Sequence, residues 1–127
     1  MIYLIDTHAL IWYIAGDKKL GRKAISVIED TDNIIYISKV TLWEMAIKIS
    51  LGKLALSIPF DELEAYLEEN EFFILDYNYV HLKRLLTLPF HHGDPFDRLI
   101  IAQALVDDIT IITHDKWFAD YPVRLIR

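Results

Sequence analysis

Four acidic residues set the chemical question in this chain: Asp6, Glu44, Asp97 and Asp115. Asp6 follows the apolar run Ile2-Tyr3-Leu4-Ile5, and Asp115 closes Thr113-His114-Asp115 after a second apolar run. Glu44 and Asp97 instead fall near the starts of segments with helical patterning. If the apolar runs are strands of one parallel sheet, all four acids gather at one edge of it, where open α/β sheets bind their ligands. Carboxylates 4–5 Å apart repel by roughly 3–4 kcal/mol per pair at an effective dielectric near 20. A hard divalent cation removes that cost and prefers oxygen ligands. Mg²⁺ or Mn²⁺ held there can orient a water, lower its pKa and offset charge on a phosphodiester.

Each acid also has a structural reading. Asp6 could simply cap the helix after it, and Asp115 the turn toward Trp117. Glu44 could pair with Lys48 at i,i+4 on an exposed face; against this, Trp43 and Met45 beside it read as buried. Asp97 stands three residues after Asp94, where a carboxylate can complete a capping box. Asp94 itself reads as the cap. Taken with Asp6, the group favours metal ligation for Asp6, Glu44, Asp97 and Asp115. Thr7, Ser38 and Thr113 place hydroxyls beside these acids, as backbone caps or as partners that orient a carboxylate. Arg98 divides evenly between holding a scissile phosphate and pairing with an acid. Asp94 can still reach the metal through a water. The histidines say less: His91 and His92 point apart on regular backbone, and His8 and His114 read as packed or surface residues.

The elements that must position these groups follow from the pattern. The central stretch is His92-Gly93-Asp94-Pro95-Phe96-Asp97-Arg98-Leu99-Ile100-Ile101-Ala102-Gln103-Ala104. Asp94 as cap and Pro95 at the first helical position start a helix there. Strands are expected at Ile2–Ile5, Ile34–Ile37, Phe72–Leu75 and Ile109–Thr113, with a fifth, at an edge, over Val123–Ile126. Helices are expected from Ala9 to the stop at Gly16, over Leu20–Asp30, from the Ser38 cap to Gly52, after Pro59, and over residues 78–87. Strands alternating with helices imply an α/β fold with a mostly parallel sheet of four or five strands flanked by helices.

The chain has 127 residues, 54% of them hydrophobic, which suits one domain over residues 1–127 with a real core. Its net charge of -6 argues against gripping nucleic acid through a broad basic surface. Any nucleic acid bound would have to be guided by local groups such as Lys39, Lys48, Lys53, Arg84, Arg98 and Lys116. The absence of cysteine excludes disulfides and thiolate chemistry. No signal peptide is expected, and the apolar run from Ala9 to Ala15 is too short to span a bilayer, so a cytoplasmic protein without membrane attachment is expected.

Met1–Trp12 (MIYLIDTHALIW), Thr41–Leu54 (TLWEMAIKISLGKL), Asp94–Ala104 (DPFDRLIIAQA) and Thr113–Asp115 (THD) together resemble the PIN domain family, and more narrowly the VapC-type toxins of toxin–antitoxin pairs. The likeness spans nearly the whole chain in the family's order. It implies a three-layer PIN fold and an Mg²⁺- or Mn²⁺-dependent endoribonuclease that cuts tRNA or rRNA, leaving a 5′-phosphate and a 3′-hydroxyl. It also implies an acidic quartet matching Asp6, Glu44, Asp97 and Asp115, a cognate antitoxin protein that covers the site, and a homodimer. One departure is the pair Asp107-Asp108, where relatives often have a glycine. Exposed tryptophans among Trp12, Trp43 and Trp117 could receive an antitoxin segment, although at helical spacing they read rather as core.

Other classes fit less well. A non-catalytic RNA- or partner-binding module has no need of four acids at one edge. A haloacid-dehalogenase-like enzyme wants Asp-x-Asp after its first strand, and here Thr7-His8 follow Asp6. A receiver domain wants paired acids before its phosphorylated aspartate. A metal-free nuclease using two histidines would stay active in EDTA.

Overall fold

A computed structural model describes all 127 residues. Short runs of β-branched and aromatic residues form the strands, whose side chains crowd poorly on a helix but pack well on a pleated surface. They are β1 (Ile2–Ile5), β2 (Ile34–Ser38), β3 (Phe72–Leu75), β4 (Thr110–Ile112) and β5 (Leu125–Ile126). The helices are α1 (Thr7–Ala15), α2 (Arg22–Glu29), α3 (Lys39–Ser50), α4 (Phe60–Glu69), α5 (Tyr79–Leu86) and α6 (Pro95–Asp107). One sheet joins the strands in the order β3-β2-β1-β4-β5, and every pairing is parallel. The chain builds outward from β1 to β3, then crosses back to the other side of β1. The strand order therefore reverses between β1 and β4, and a crevice opens beyond the carboxyl ends of those two strands.

Alternation along β1 divides the core in two. Tyr3 and Ile5 face one layer with Ala9, Leu10, Ala24, Leu63 and Leu67. Leu4 faces the other with Ile100, Ile101, Ala104 and Phe118. Helices thus cover both faces, which is why the central strands are continuously apolar. α6 is buried on all sides from Arg98 to Ala104.

Several expected bounds shift. Leu20–Asp30 is not one helix: a short 3-10 turn (Lys18–Leu20) ends at Gly21, whose φ of +83° breaks the ladder before α2 begins. The fourth and fifth strands are shorter than expected, Thr110–Ile112 and Leu125–Ile126. A second 3-10 turn (Lys116–Asp120) follows Asp115. Trp43, expected to be buried, is 57% exposed, while Met45 is buried. Asp108 ends α6 in the left-handed conformation (φ 56°), the position where glycine is favoured and aspartate tolerated. Arg124 holds it with a donor to its carbonyl and another, at 2.9 Å, to its carboxylate. No helix is long and apolar enough to cross a membrane.

Candidate metal centre

Two of the acids hang from strand ends and two from helix starts. Asp6 follows β1 and caps α1: one carboxylate oxygen accepts from the Ala9 amide at 2.8 Å, and the other accepts the Thr113 hydroxyl at very short range. Thr113, just past β4, also accepts from the Asp115 amide at 3.0 Å, so one hydroxyl ties the two strand ends together. Asp115 caps the 3-10 turn through Trp117 N (2.9 Å), which occupies one of its oxygens. The capping roles open to Asp6 and Asp115 are therefore real, and they leave the acids at the crevice.

Glu44 lies on α3 and is buried. Its two oxygens accept from the Thr7 hydroxyl (2.7 Å) and the Lys48 ammonium (2.6 Å). The i,i+4 pair with Lys48 exists, but its carboxylate faces inward. Thr41 lies 3.0 Å from the same Thr7 hydroxyl. Burial opposes the Lys48 charge, yet the Glu44 bond and the nearby charges of Glu44, Asp94 and Asp97 outweigh it and raise the Lys48 pKa.

At the start of α6, Asp94 caps the helix by accepting from Phe96 N (2.9 Å) and Asp97 N (3.0 Å). Asp97 does not return the capping bond; its carboxylate meets His92 Nε2 at 3.4 Å instead. Burial, and then the charges of Asp94, Glu44, Asp6 and Asp115, push the Asp97 pKa up to about 8. Burial likewise lifts Asp6 to about 6, against the bonds from Thr113 and Ala9 and the charge of His8, with Asp115 adding to the rise. Beside the effect of burial, the charges place Asp94, Glu44, Asp6 and Asp115 within repulsive reach of Asp97, and Asp115 within repulsive reach of Asp6.

That donor set suits a hard divalent cation: carboxylate oxygens and hydroxyls, no thiolate, and one neutralising lysine among five acids. No group of three or more His, Asp or Glu side chains stands as a ready-made ligand set in the structure, so the fit rests on donor chemistry and charge. The surplus negative charge is the feature a cation would offset.

Three sequence readings need correction. Arg98 pairs with no acid, and its guanidinium is taken up by oxygens of the protein itself. It is buried, with its guanidinium donating to the carbonyls of Pro89 (2.8 Å) and Leu88 (3.2 Å) and to the Tyr121 hydroxyl (3.1 Å), and it stacks on Phe90. Ser38 does not orient an acid. Its hydroxyl accepts from Val40 N as the α3 cap and donates to Gln103 at 2.5 Å, joining α3 to α6. His92, read as uninformative, lies against Asp97. The only sequence signal for it was its place two residues before the Asp94 cap. Lys39 pairs with Asp76 on the surface, and Lys116 lies beside the Trp117 ring.

Comparison with known proteins agrees with this fold. The family model described as PIN domain matches residues 3–123. No curated protein matches the sequence. Among solved structures, VapBC2 from Rickettsia felis bound to a promoter DNA fragment is similar at a TM-score of 0.74 and 20% identity, covering 99% of this chain and 98% of that one. DNA-bound VapBC from Salmonella typhimurium gives 0.71 and 19%, covering 99% and 97%. A toxin–antitoxin complex from Klebsiella pneumoniae gives 0.68 and 22%, covering 98% and 96%. At these identities the likeness is one of fold. With a family match over nearly its full length and an acidic crevice at the sheet's switch point, the chain belongs to the PIN domain family.

Proposed function

We propose that this protein is the toxin of a toxin–antitoxin pair, an Mg²⁺- or Mn²⁺-dependent endoribonuclease whose metal is held by Asp6, Glu44, Asp97 and Asp115. One observation carries the reading: Asp97 is pushed up to about 8, first by burial and then by the charges of the four neighbouring carboxylates Asp94, Glu44, Asp6 and Asp115. A fold gains nothing from such crowding, whereas a site that binds a cation and then a phosphodiester requires it. A bound divalent cation would supply an activated water and offset charge on the scissile phosphate. The protein's own groups do the rest. Thr113 and the Ala9 amide fix the Asp6 carboxylate, Thr7 and Lys48 fix Glu44, and the Trp117 amide fixes Asp115. Asp94 stays as the helix cap, close enough to bear on Asp97 electrostatically. Tryptophans 43 and 117, 57% and 43% exposed, offer faces on which single-stranded bases can stack.

The structures it resembles include VapBC and toxin–antitoxin complexes, which supports an antitoxin as partner. A groove of about 600 Å³ between α4, β3 and Leu42, apolar and rimmed by Glu64, Glu68 and Glu71, is a surface such a partner could cover. The substrate reading is tRNA or rRNA, and the assembly reading is a homodimer in the cytoplasm. The test is cleavage of a mixed tRNA and rRNA pool. Cutting with Mg²⁺ or Mn²⁺, lost in EDTA and lost in Asp6→Asn, is the expected result. Equal cutting by wild type and Asp6→Asn removes that residue from the site, and cutting undiminished in EDTA removes the metal.

A further inference from the structure

Every acid of the crevice but one is oriented by a donor that the fold makes unavoidable. Asp6 has Thr113 and an amide, Glu44 has Thr7 and Lys48, and Asp115 has an amide. Asp97 accepts from nothing on its own helix, and its carboxylate has a single neighbour within hydrogen-bond reach, His92 Nε2 at 3.4 Å.

We infer that Arg98, Tyr121 and His92 form a hydrogen-bonded relay that aims the Nε2–H of His92 at Asp97 Oδ2 and makes His92 a positioning residue for that carboxylate. The direction of the relay follows from proton counting. A guanidinium only donates, so the Tyr121 hydroxyl accepts from Arg98 Nη1 at 3.1 Å. The single phenolic proton is then free for the nearest acceptor, His92 Nδ1 at 2.9 Å. A ring nitrogen that accepts carries no proton, so the proton of His92 sits on Nε2, the atom facing Asp97. This tautomer is assigned by the bonding network around the ring.

Packing holds the ring in this pose. His92 stacks on Trp117 (centroids 5.9 Å apart, planes at 10°) and meets the Tyr121 ring edge-on at 5.5 Å. Its side chain is only 8% exposed. The loop that carries it is fastened by the same arginine, through the carbonyls of Leu88 and Pro89. Arg98 thus fixes both the backbone leading to His92 and the tautomer of its ring. At 3.4 Å the last contact is at the outer limit of a hydrogen bond, a looseness common to catalytic pairs before their ligands bind. Partners of this kind, behind a metal-ligating group, typically change metal affinity by about 10–100-fold when removed.

The inference rests on Asp97 being a metal ligand, and the experiment separates the two claims. Mn²⁺ binding to the full chain is measured by titration calorimetry for wild type, His92→Phe, His92→Gln and Tyr121→Phe. His92→Phe keeps a ring on Trp117 but has no donor, and its Kd should rise about tenfold or more. His92→Gln keeps an N–H that can reach Asp97 and should stay within about threefold of wild type. A packing role alone predicts the opposite order, with Phe tolerated better than Gln. Tyr121→Phe frees the tautomer without emptying the core and should weaken Mn²⁺ several-fold; it reads the same link if His92→Phe fails to fold. Wild-type affinity in both His92→Phe and Tyr121→Phe overturns the relay alone. Wild-type protein that takes up no Mn²⁺ overturns the metal reading and the relay with it.

Discussion

Replacing Asp97 with asparagine should stabilise the metal-free protein while destroying its site, and the gain should grow with pH. In the folded chain Asp97 titrates near 8 and Asp6 near 6, both above their ordinary value of 3.8. Between the ordinary and folded values the native state binds more protons than the unfolded chain, so stability falls as pH rises. The contribution is intact below about pH 4 and lost as pH passes through the folded values. From pH 5 to pH 8 the shift at Asp97 corresponds to a loss on the order of 4 kcal/mol, and that at Asp6 to about 1 kcal/mol more. Against a total stability of about 5–15 kcal/mol, this is a large fraction. Urea unfolding in EDTA at pH 5 and pH 8 measures it. Wild type should lose most of that amount, whereas Asp97→Asn should lose only the part due to Asp6 and be the more stable of the two at pH 8. Mg²⁺ added at pH 8 should rescue wild type and not the variant. If wild type and Asp97→Asn keep a constant difference across the two pH values, the carboxylates do not crowd as the structure has them, and the electrostatic case for the cation fails.

Two further substitutions separate structural from functional cations. Lys48→Gln leaves the buried Glu44 carboxylate without its 2.6 Å ion pair and should cost about 2 kcal/mol of stability in EDTA; a saturating divalent cation should recover most of it, and a loss that the cation does not touch would detach Glu44 from the metal. Arg98→Lys removes the forked donor that bonds the Leu88 and Pro89 carbonyls and should lower stability by about 2–3 kcal/mol with RNA affinity in EDTA little changed; unchanged stability with weakened RNA binding in EDTA would return Arg98 to a phosphate-contacting role.

The fold was readable because its signals are local. Ile2–Ile5 and Phe72–Leu75 are apolar runs bounded by polar residues, and Asp94-Pro95 marks a helix start by capping chemistry alone. The acids were readable because each occupies a junction: Asp6 and Asp115 end strand segments, and Glu44 and Asp97 lie near helix starts. The parallel arrangement then brings such junctions to one edge. Errors fell where orientation, not element type, decides the outcome. Glu44 is buried toward the crevice, so Trp43, one residue and about 100° around the helix, turns outward. Gly21 split the expected second helix because its left-handed φ outweighs the apolar spacing on either side. The bond from Ser38 to Gln103 spans 65 residues and has no sequence pattern at all.

α6 shows why the same limit applied to Arg98. An amphipathic helix announces which side faces the core, but α6 is buried on every side from Arg98 to Ala104, so its sequence carries no phase. Asp97 and Arg98 are adjacent and therefore point about 100° apart. One must face the crevice and the other the protein, and periodicity cannot choose between them. Burial energetics can, once the surroundings are known. A guanidinium enclosed there needs acceptors, and the carbonyls of Leu88 and Pro89 together with the Tyr121 hydroxyl supply them. A carboxylate in that place would face those same oxygens and be repelled. The inward arginine is thus what leaves Asp97 turned to the other acids, and through Tyr121 and His92 it still reaches that carboxylate from behind. The helix-start sequence Asp94-Pro95-Phe96-Asp97-Arg98 combines a cap, a proposed ligand and that ligand's proposed support in five residues, a division of labour set by helical angle rather than by residue type.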